Sequence, residues 1–320
     1  MSLPGWPRPS SPYHAGERAI HDRLGIGERV ERFGRNVIRA ALPDQHRELF
    51  EELPFVVVGS LDEHGQPWAS IVAGPPGFVR SPDARTLVVG AALDPLAPLT
   101  TRVRIGAPIG LLGIELPTRR RNRANGRVRS VDAHGFTVAI EQSFGNCPKY
   151  IQARAIGYAP GIVAEPPSTE AARLSDAARS IVAAADTFFI ATSAVRVGSD
   201  DPTLGVDVSH RGGRPGFVAI EDDDGGTQLS FPDYVGNFAF NTLGNLVVDR
   251  RASLVFVDFS GGTTLELAGV AEIVWDGPEL AAVAGAQRLV RFRVERGLLR
   301  RHGVPLVASA AELAPELSQL

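Results

Sequence analysis

The sequence predicts a mainly β protein: two antiparallel barrels in tandem, with flanking helices, made by duplicating one unit. Three observations carry this. The tetrapeptide Pro76-Gly-Phe-Val79 returns as Pro215-Gly-Phe-Val218. The segments around the two copies return in the same order. Short strand-like runs follow one another without intervening helices, a spacing that suggests antiparallel barrels whose sheet edges are closed off.

The elements can be justified in order. Pro43 to Leu53 reads as a helix, and the apolar run Phe55 to Ser60 as the strand after it. In the second half the helix-like Leu174 to Ala185 precedes the strand Phe188 to Thr192. Downstream, Ile109 to Ile114 parallels Leu254 to Phe259, and Asn125-Gly-Arg-Val128 parallels Ala268-Gly-Val-Ala271. Arg85 to Gly90, Gln228 to Phe231 and Ala252 to Phe259 are short, apolar and rich in β-branched residues, as strands are. Thr263 to Trp275 is a longer strand, and Gly261-Gly262 supplies the hairpin turn before it. Gly236 to Val248 has helical spacing, with Phe240, Leu243, Leu246 and Val247 on one side. The Pro- and Gly-rich stretch Ala159 to Ser168 marks the boundary, giving units 13–163 and 164–320.

Composition narrows the function. Hydrophobic content of 44% and charged content of 22% are ordinary for a globular chain. A net charge of −3 gives no overall pull toward nucleic acid. A single cysteine forbids an internal disulfide and fits a reducing compartment. No apolar run approaches the ~18 residues of a membrane helix. The N-terminus has no signal-peptide core, so a cytoplasmic location is expected, with residues 1–12 as a mobile arm. Seven histidines are scattered without metal-ligand spacing, so no metal is expected. No Ser-His-Asp signature or nucleotide-hydrolase phosphate loop occurs, and no catalytic residue is assigned.

Three segments could carry chemistry. His210-Arg-Gly-Gly-Arg-Pro-Gly-Phe217 joins two strands. Its glycines allow close backbone approach and its arginines suit a phosphate or carboxylate; a plain hairpin turn would explain only the glycines. Phe231 to Asn237 leads into a helix start, a site where free N–H groups favour anions; Asn237 is also an ordinary helix cap. Polar Asn241 and Thr242 need partners that a ligand or solvent could supply. The third segment, Gln142-Ser-Phe-Gly-Asn-Cys-Pro-Lys-Tyr-Ile151, holds the only cysteine and the only lysine among 33 basic residues. Lys149 is either a survivor of an arginine bias or placed for its compact ammonium, which arginine cannot replace. The dense basic run Thr118 to Arg129 has three readings: a solvated hairpin, an electropositive wall for an anion, or a nucleic-acid patch without interleaved aromatics.

The run Phe231-Pro-Asp-Tyr-x-Gly-Asn-x-x-Phe-Asn-Thr-Leu-Gly-Asn-Leu246, with a strand ending in Asp258-Phe259, resembles the FMN-binding split β-barrel of the pyridoxamine 5′-phosphate oxidase-like family. His210-Arg-Gly-Gly213 and the 142–151 segment resemble that family's tandem-barrel branch. The resemblance covers about residues 15–295. It implies two split β-barrels forming an intrachain pseudo-dimer, with FMN between them. The cofactor-binding residues it implies are His210, Arg211, Gly212, Arg214, Pro215, Gly216, Tyr234, Asn237, Asn241, Thr242 and Asp258. Ser143, Asn146 and Lys149 of the first barrel would complete that site. Basic residues on the phosphate helix and the C-terminal arginine-and-histidine signature of the vitamin B6 oxidases are missing, so vitamin B6 oxidation is not implied. At the matching place the first barrel has Asp94-Pro-Leu-Ala-Pro98, so one flavin per chain is expected. The function implied is an FMN-dependent oxidoreductase acting on a small, anionic substrate or oxygen, with NAD(P)H or a reductase partner as electron donor. The alternatives are a non-catalytic FMN- or haem-binding protein and an interaction protein using the arginine run. No membrane or nucleic-acid partner is expected; a homodimer is compatible with the reading.

Overall fold

The computed structural model describes residues 4–196 and 198–319. Three helices open the chain: α1 (Ala15–Arg23), α2 (Gly27–Val37) and α3 (Asp44–Glu52). The first sheet holds β1 (Phe55–Leu61), β2 (Pro67–Ala73), β3 (Val79–Asp83) and β4 (Thr86–Val89), then a one-turn helix α4 (Leu99–Arg102), then β5 (Pro108–Glu115), β6 (Arg120–Asp132) and β7 (Gly135–Gly145). Short strands β8 (Ile156–Tyr158) and β9 (Ser168–Glu170) and helix α5 (Asp176–Ala184) lead into the second unit. Its strands are β10 (Thr187–Ser193), β11 (Val206–Gly212), β12 (Ala219–Asp223), β13 (Gly226–Tyr234), β14 (Arg251–Asp258), β15 (Thr263–Val274) and β16 (Ala286–Arg300). Helix α6 (Asn241–Val248) precedes β14, α7 (Pro278–Ala281) precedes β16, and β17 (Leu306–Ala308) and a 3-10 turn (Pro315–Gln319) close the chain.

The duplication read from the sequence is complete at the level of topology. The first sheet runs β2-β1-β5-β6-β7-β4-β3 and the second β11-β10-β14-β15-β16-β13-β12, all antiparallel and in the same order. Even the irregularities repeat. The ladder slips at Asn125/Gly126 in one barrel and at Ala268/Gly269 in the other. A Cβ on Gly126 would lie 1.9 Å from the Ala139 carbonyl oxygen, and one on Gly269 1.9 Å from that of Arg293. Only a residue without a Cβ lets the bulged strand come so near its neighbour.

Alternation along the central strands builds three cores. Val56 and Val58 of β1 point into the first barrel, and Phe188 and Ile190 of β10 into the second. The intervening Phe55, Val57, Phe189 and Ala191 meet in a third core between the sheets, with Leu112, Val208 and Val255. Both faces of β1 and β10 are therefore buried, which is why they read as unbroken apolar runs.

Two expectations are corrected. Residues 4–12 are packed against α2 rather than forming a mobile arm. Trp6 is buried, its backbone N–H donates to Arg35 O at 2.8 Å, and its indole N–H donates to Ser10 O at 2.9 Å; residues 1–3 lie outside the described residues. The helix expected over 236–248 begins only at Asn241. Phe238 and Phe240 sit at φ 61° and 58°, left-handed conformations that bar a helix there. Asn237 therefore caps no helix; its Oδ1 accepts from Ala239 N at 3.1 Å within the loop. No helix among the described residues is long and apolar enough to cross a membrane.

Candidate functional site

The N-terminus of α6 faces a cleft between the barrels. The first barrel contributes Arg121 and Arg123 of β6 and the segment after β7, with Asn146, Cys147, Lys149 and Tyr150. The second contributes β11, the 232–240 loop, the first residues of α6, and Arg288 of β16. The cleft measures about 100 Å³ and opens to solvent.

The 142–151 segment reaches the second barrel because Gly212 admits it. A Cβ on Gly212 would stand 2.0 Å from the Tyr150 carbonyl oxygen. Tyr150, itself at φ 64°, stacks on Tyr234 with centroids 4.9 Å apart, and its hydroxyl donates to Val235 O at 3.3 Å. The next contact is Gln152, whose amide donates to Gly213 O at 3.1 Å and accepts from Ala314 N at 2.7 Å.

Charge in the cleft is lopsided. Arg121, Arg123, Lys149, Arg211 and Arg288 line it against a single lining carboxylate, Asp233. That carboxylate is already engaged by Arg288 Nε at 3.0 Å, leaving Arg211 at 3.6 Å. Arg121 donates to Cys147 O at 2.8 Å, and among the described residues no carboxylate pairs with it. Burial, with Arg123 and Arg211 nearby, pulls its pKa down to about 9. A guanidinium so perturbed gains from any anion that enters. Burial and the charges of Arg121, Arg211 and Arg154 hold His210 neutral, far below the usual histidine range.

Behind the cleft lies a buried polar network. Arg123 Nη1 donates to Asn241 Oδ1 at 2.5 Å and lies 2.8 Å from Asp207 Oδ1, at an angle poor for a hydrogen bond. Its Nη2 donates to Ser209 Oγ, which also accepts from Thr242 Oγ1 at 2.8 Å. The amide of Asn241 donates to Glu17 Oε1 at 2.6 Å. Glu17 belongs to α1, where it forms a capping box with His14. Helices α1 and α6 touch glycine to glycine: a Cβ on Gly16 would meet Gly244 O at 2.0 Å. Burial raises the Glu17 pKa to about 8, against the lowering effect of the His14 and Asn241 hydrogen bonds.

The structure brings together nine of the residues expected from sequence: Asn146, Lys149, His210, Arg211, Gly212, Tyr234, Asn237, Asn241 and Thr242. It separates five. Arg214 points away and donates to Leu317 O at 3.0 Å. Pro215 and Gly216 form the exposed tip of that turn. Asp258 accepts from Ser260 N at 2.9 Å, closing a turn outside the cleft. Ser143 is buried behind the segment, its Oγ 2.8 Å from His46 Nδ1. The partners of Asn241 are protein groups rather than ligand or solvent. Sequence reasoning did not single out Arg121 and Arg123 within the basic run, and it missed Arg288, Asp207 and Glu17 entirely. For Glu17 the capping-box spacing after His14 was the one available signal.

Residues 42–166 match the family model described as pyridoxamine 5′-phosphate oxidase. Over this segment, less than half of the chain, the protein is similar to the pyridoxamine 5′-phosphate oxidase-like family. The oxidase-like match takes in the whole first sheet and the segment through Tyr150; the second barrel repeats its strand order. No curated protein matches the sequence. Among solved structures, HupZ of Group A Streptococcus is 14% identical, covering 38% of this chain and 90% of its own, with a TM-score of 0.29. HutZ, a haem storage protein from Vibrio cholerae, is 16% identical over 40% of this chain and 95% of its own, TM-score 0.26. A FAD-binding protein from Mesorhizobium loti is 13% identical over 43% and 99%, TM-score 0.28.

Proposed function

We propose that the inter-barrel cleft binds flavin mononucleotide and that the protein is a flavin-dependent oxidoreductase. The observation that supports this reading is the excess of cations at the start of α6. Three N–H groups of a helix's first turn lack intrahelical acceptors, and Asn241, Thr242 and Leu243 supply them here beside Arg121 and Arg211. Four buried side-chain atoms of the lining have no partner: Arg123 Nε, Asn146 Oδ1, His210 Nε2 and Arg211 Nε. Buried polar atoms left unpaired point to a polar occupant. The cleft opens to solvent, and Tyr150 and Tyr234 in its lining offer a ring system an aromatic wall.

When bound, the flavin would supply hydride or electron transfer, leaving the protein to bind and orient it. Arg121 and Arg211 neutralise the phosphate, Thr242 positions Ser209, and Asn241 holds Arg123 against Asp207. Lys149, half-buried in the lining, is placed to meet an anionic substrate. The electron donor in this reading is NAD(P)H or a reductase. The experiment is direct: the purified protein should show a flavin spectrum, and FMN should bleach on addition of NADPH and recover with an acceptor. A colourless protein with no FMN affinity would refute the reading. His210 favours one rival. A neutral histidine with an unpartnered Nε2 at a cleft is a haem ligand candidate, and a Soret band on haem addition, lost in His210→Ala, would establish it.

A further inference from the structure

The duplication gives the cleft a twin. Equivalent positions can be found by stepping across the ladders from Gly213 and Gly74, the glycines on which Phe217 and Phe78 fold back. Three residues before Gly213 is His210, paired to Phe189, then Val255, then Glu266, then Leu298. Three residues before Gly74 is Ile71, paired to Val57, then Leu112, then Arg123, then Phe144. Glu266 therefore occupies, in the twin, the place of Arg123. The other cations vanish likewise: Val72 stands for Arg211 and Thr264 for Arg121. Counting on from Phe144 and Leu298, Gly303 stands for Lys149 and Val304 for Tyr150.

The twin is not filled in. It holds a cavity of about 410 Å³, against about 100 Å³ by the same measure in the cationic cleft. Small-molecule pockets span about 300–1,000 Å³. Its charges are all answered from within. Glu266 pairs with Arg102 at 3.4 Å, and Arg300 is held by Asp94 and by Glu165 O at 2.8 Å. None of the unpartnered buried polar atoms found among the described residues lines it. What remains for an occupant is apolar wall, from Ile71 and Val72 on β2 to Leu298 and the linker residue Val163, which is left 80% exposed at the rim.

We infer that this twin cavity is a second ligand site that takes an uncharged, apolar small molecule. An anion is rejected because burial of a charge without a counter-charge is costly and the local arginines are already paired. The site does not depend on what the cationic cleft binds.

The test uses the full chain and the uncharged dye Nile red, followed by fluorescence. Saturable binding at one dye per chain is expected. Ala92→Trp and Ala164→Trp, both on lining loops, should each abolish it while leaving the melting temperature within a few degrees of wild type. Arg211→Ala, in the other cleft, should leave dye binding unchanged. Uncharged 1-naphthol should displace the dye at least roughly tenfold better than anionic 1-naphthoate. Three results would each overturn the inference: no saturable binding, wild-type binding in both tryptophan variants, or displacement by naphthoate as good as by naphthol.

Discussion

At the residue scale the arginines decide what the cleft can hold. Arg211→Ala and Arg121→Ala each remove one charge-assisted donor, worth about 1.5–3 kcal/mol. FMN affinity should fall by about 10- to 100-fold in each. Riboflavin, which lacks the phosphate, should bind both variants as it binds wild type; fluorescence-quenching titrations of the two ligands check this. Glu17 carries a pH signature. Its pKa rises from 4.5 in the unfolded chain to about 8 in the fold, so between these values the native state keeps a proton that the unfolded chain has lost. Stability is therefore lost as pH climbs through that window. His14 and His46 act oppositely. Burial lowers both from 6.5 to about 4, so their contribution grows as pH rises to 6.5 and is then complete. Denaturation midpoints should decline between pH 6.5 and 8, and Glu17→Gln should flatten that decline. Little of this was legible in sequence. In β6, Arg121 and Arg123 alternate with Asn122 and Ala124, a pattern that a strand facing solvent and one facing a wet cleft share.

The bulges show what the strands themselves control. Gly126 and Gly269 sit at matching slips, each too close to a neighbouring carbonyl for a side chain. Gly269→Ala should destabilise the protein by about 2–4 kcal/mol, read from chemical denaturation, because it overpacks backbone that cannot move aside. The strands were the most legible level. β1, β5, β10 and β14 lie where apolar runs placed them, and the recurring Asn-Gly and Ala-Gly pairs marked the bulges without revealing them as such. The segment before α6 was misread because Phe240 and Leu243 keep helical spacing while the backbone at Phe238 and Phe240 is left-handed, a state that spacing cannot disclose. The N-terminal arm was misjudged on Pro and Ser content, though Trp6 in its midst is a large apolar anchor.

Across the whole molecule, neither unit owns all of its core. Phe55, Val57, Leu112 and Ile114 of one half share a core with Phe189, Val208, Val255 and Val257 of the other. Helix α1, which precedes the first barrel in sequence, packs on α6 of the second. Expressed alone, residues 164–320 should be largely insoluble and should purify without flavin, since an exposed apolar face of that kind is rare on a monomer; solubility and absorbance of the fragment check this. The tandem arrangement was legible in the Pro-Gly-Phe-Val repeat, whereas the shared core was not, because a run buried on one face by its own barrel and on the other by its twin looks like any central strand. The ladder positions of Arg123 and Glu266 carry a consequence of their own. In a homodimer a single codon sets both members of every symmetric pair, so a change that suits one cleft is copied into the other. Joined in one chain, the two positions are spelled separately. One carries a positive charge and the other a negative one, so each cleft is free to hold its own chemistry.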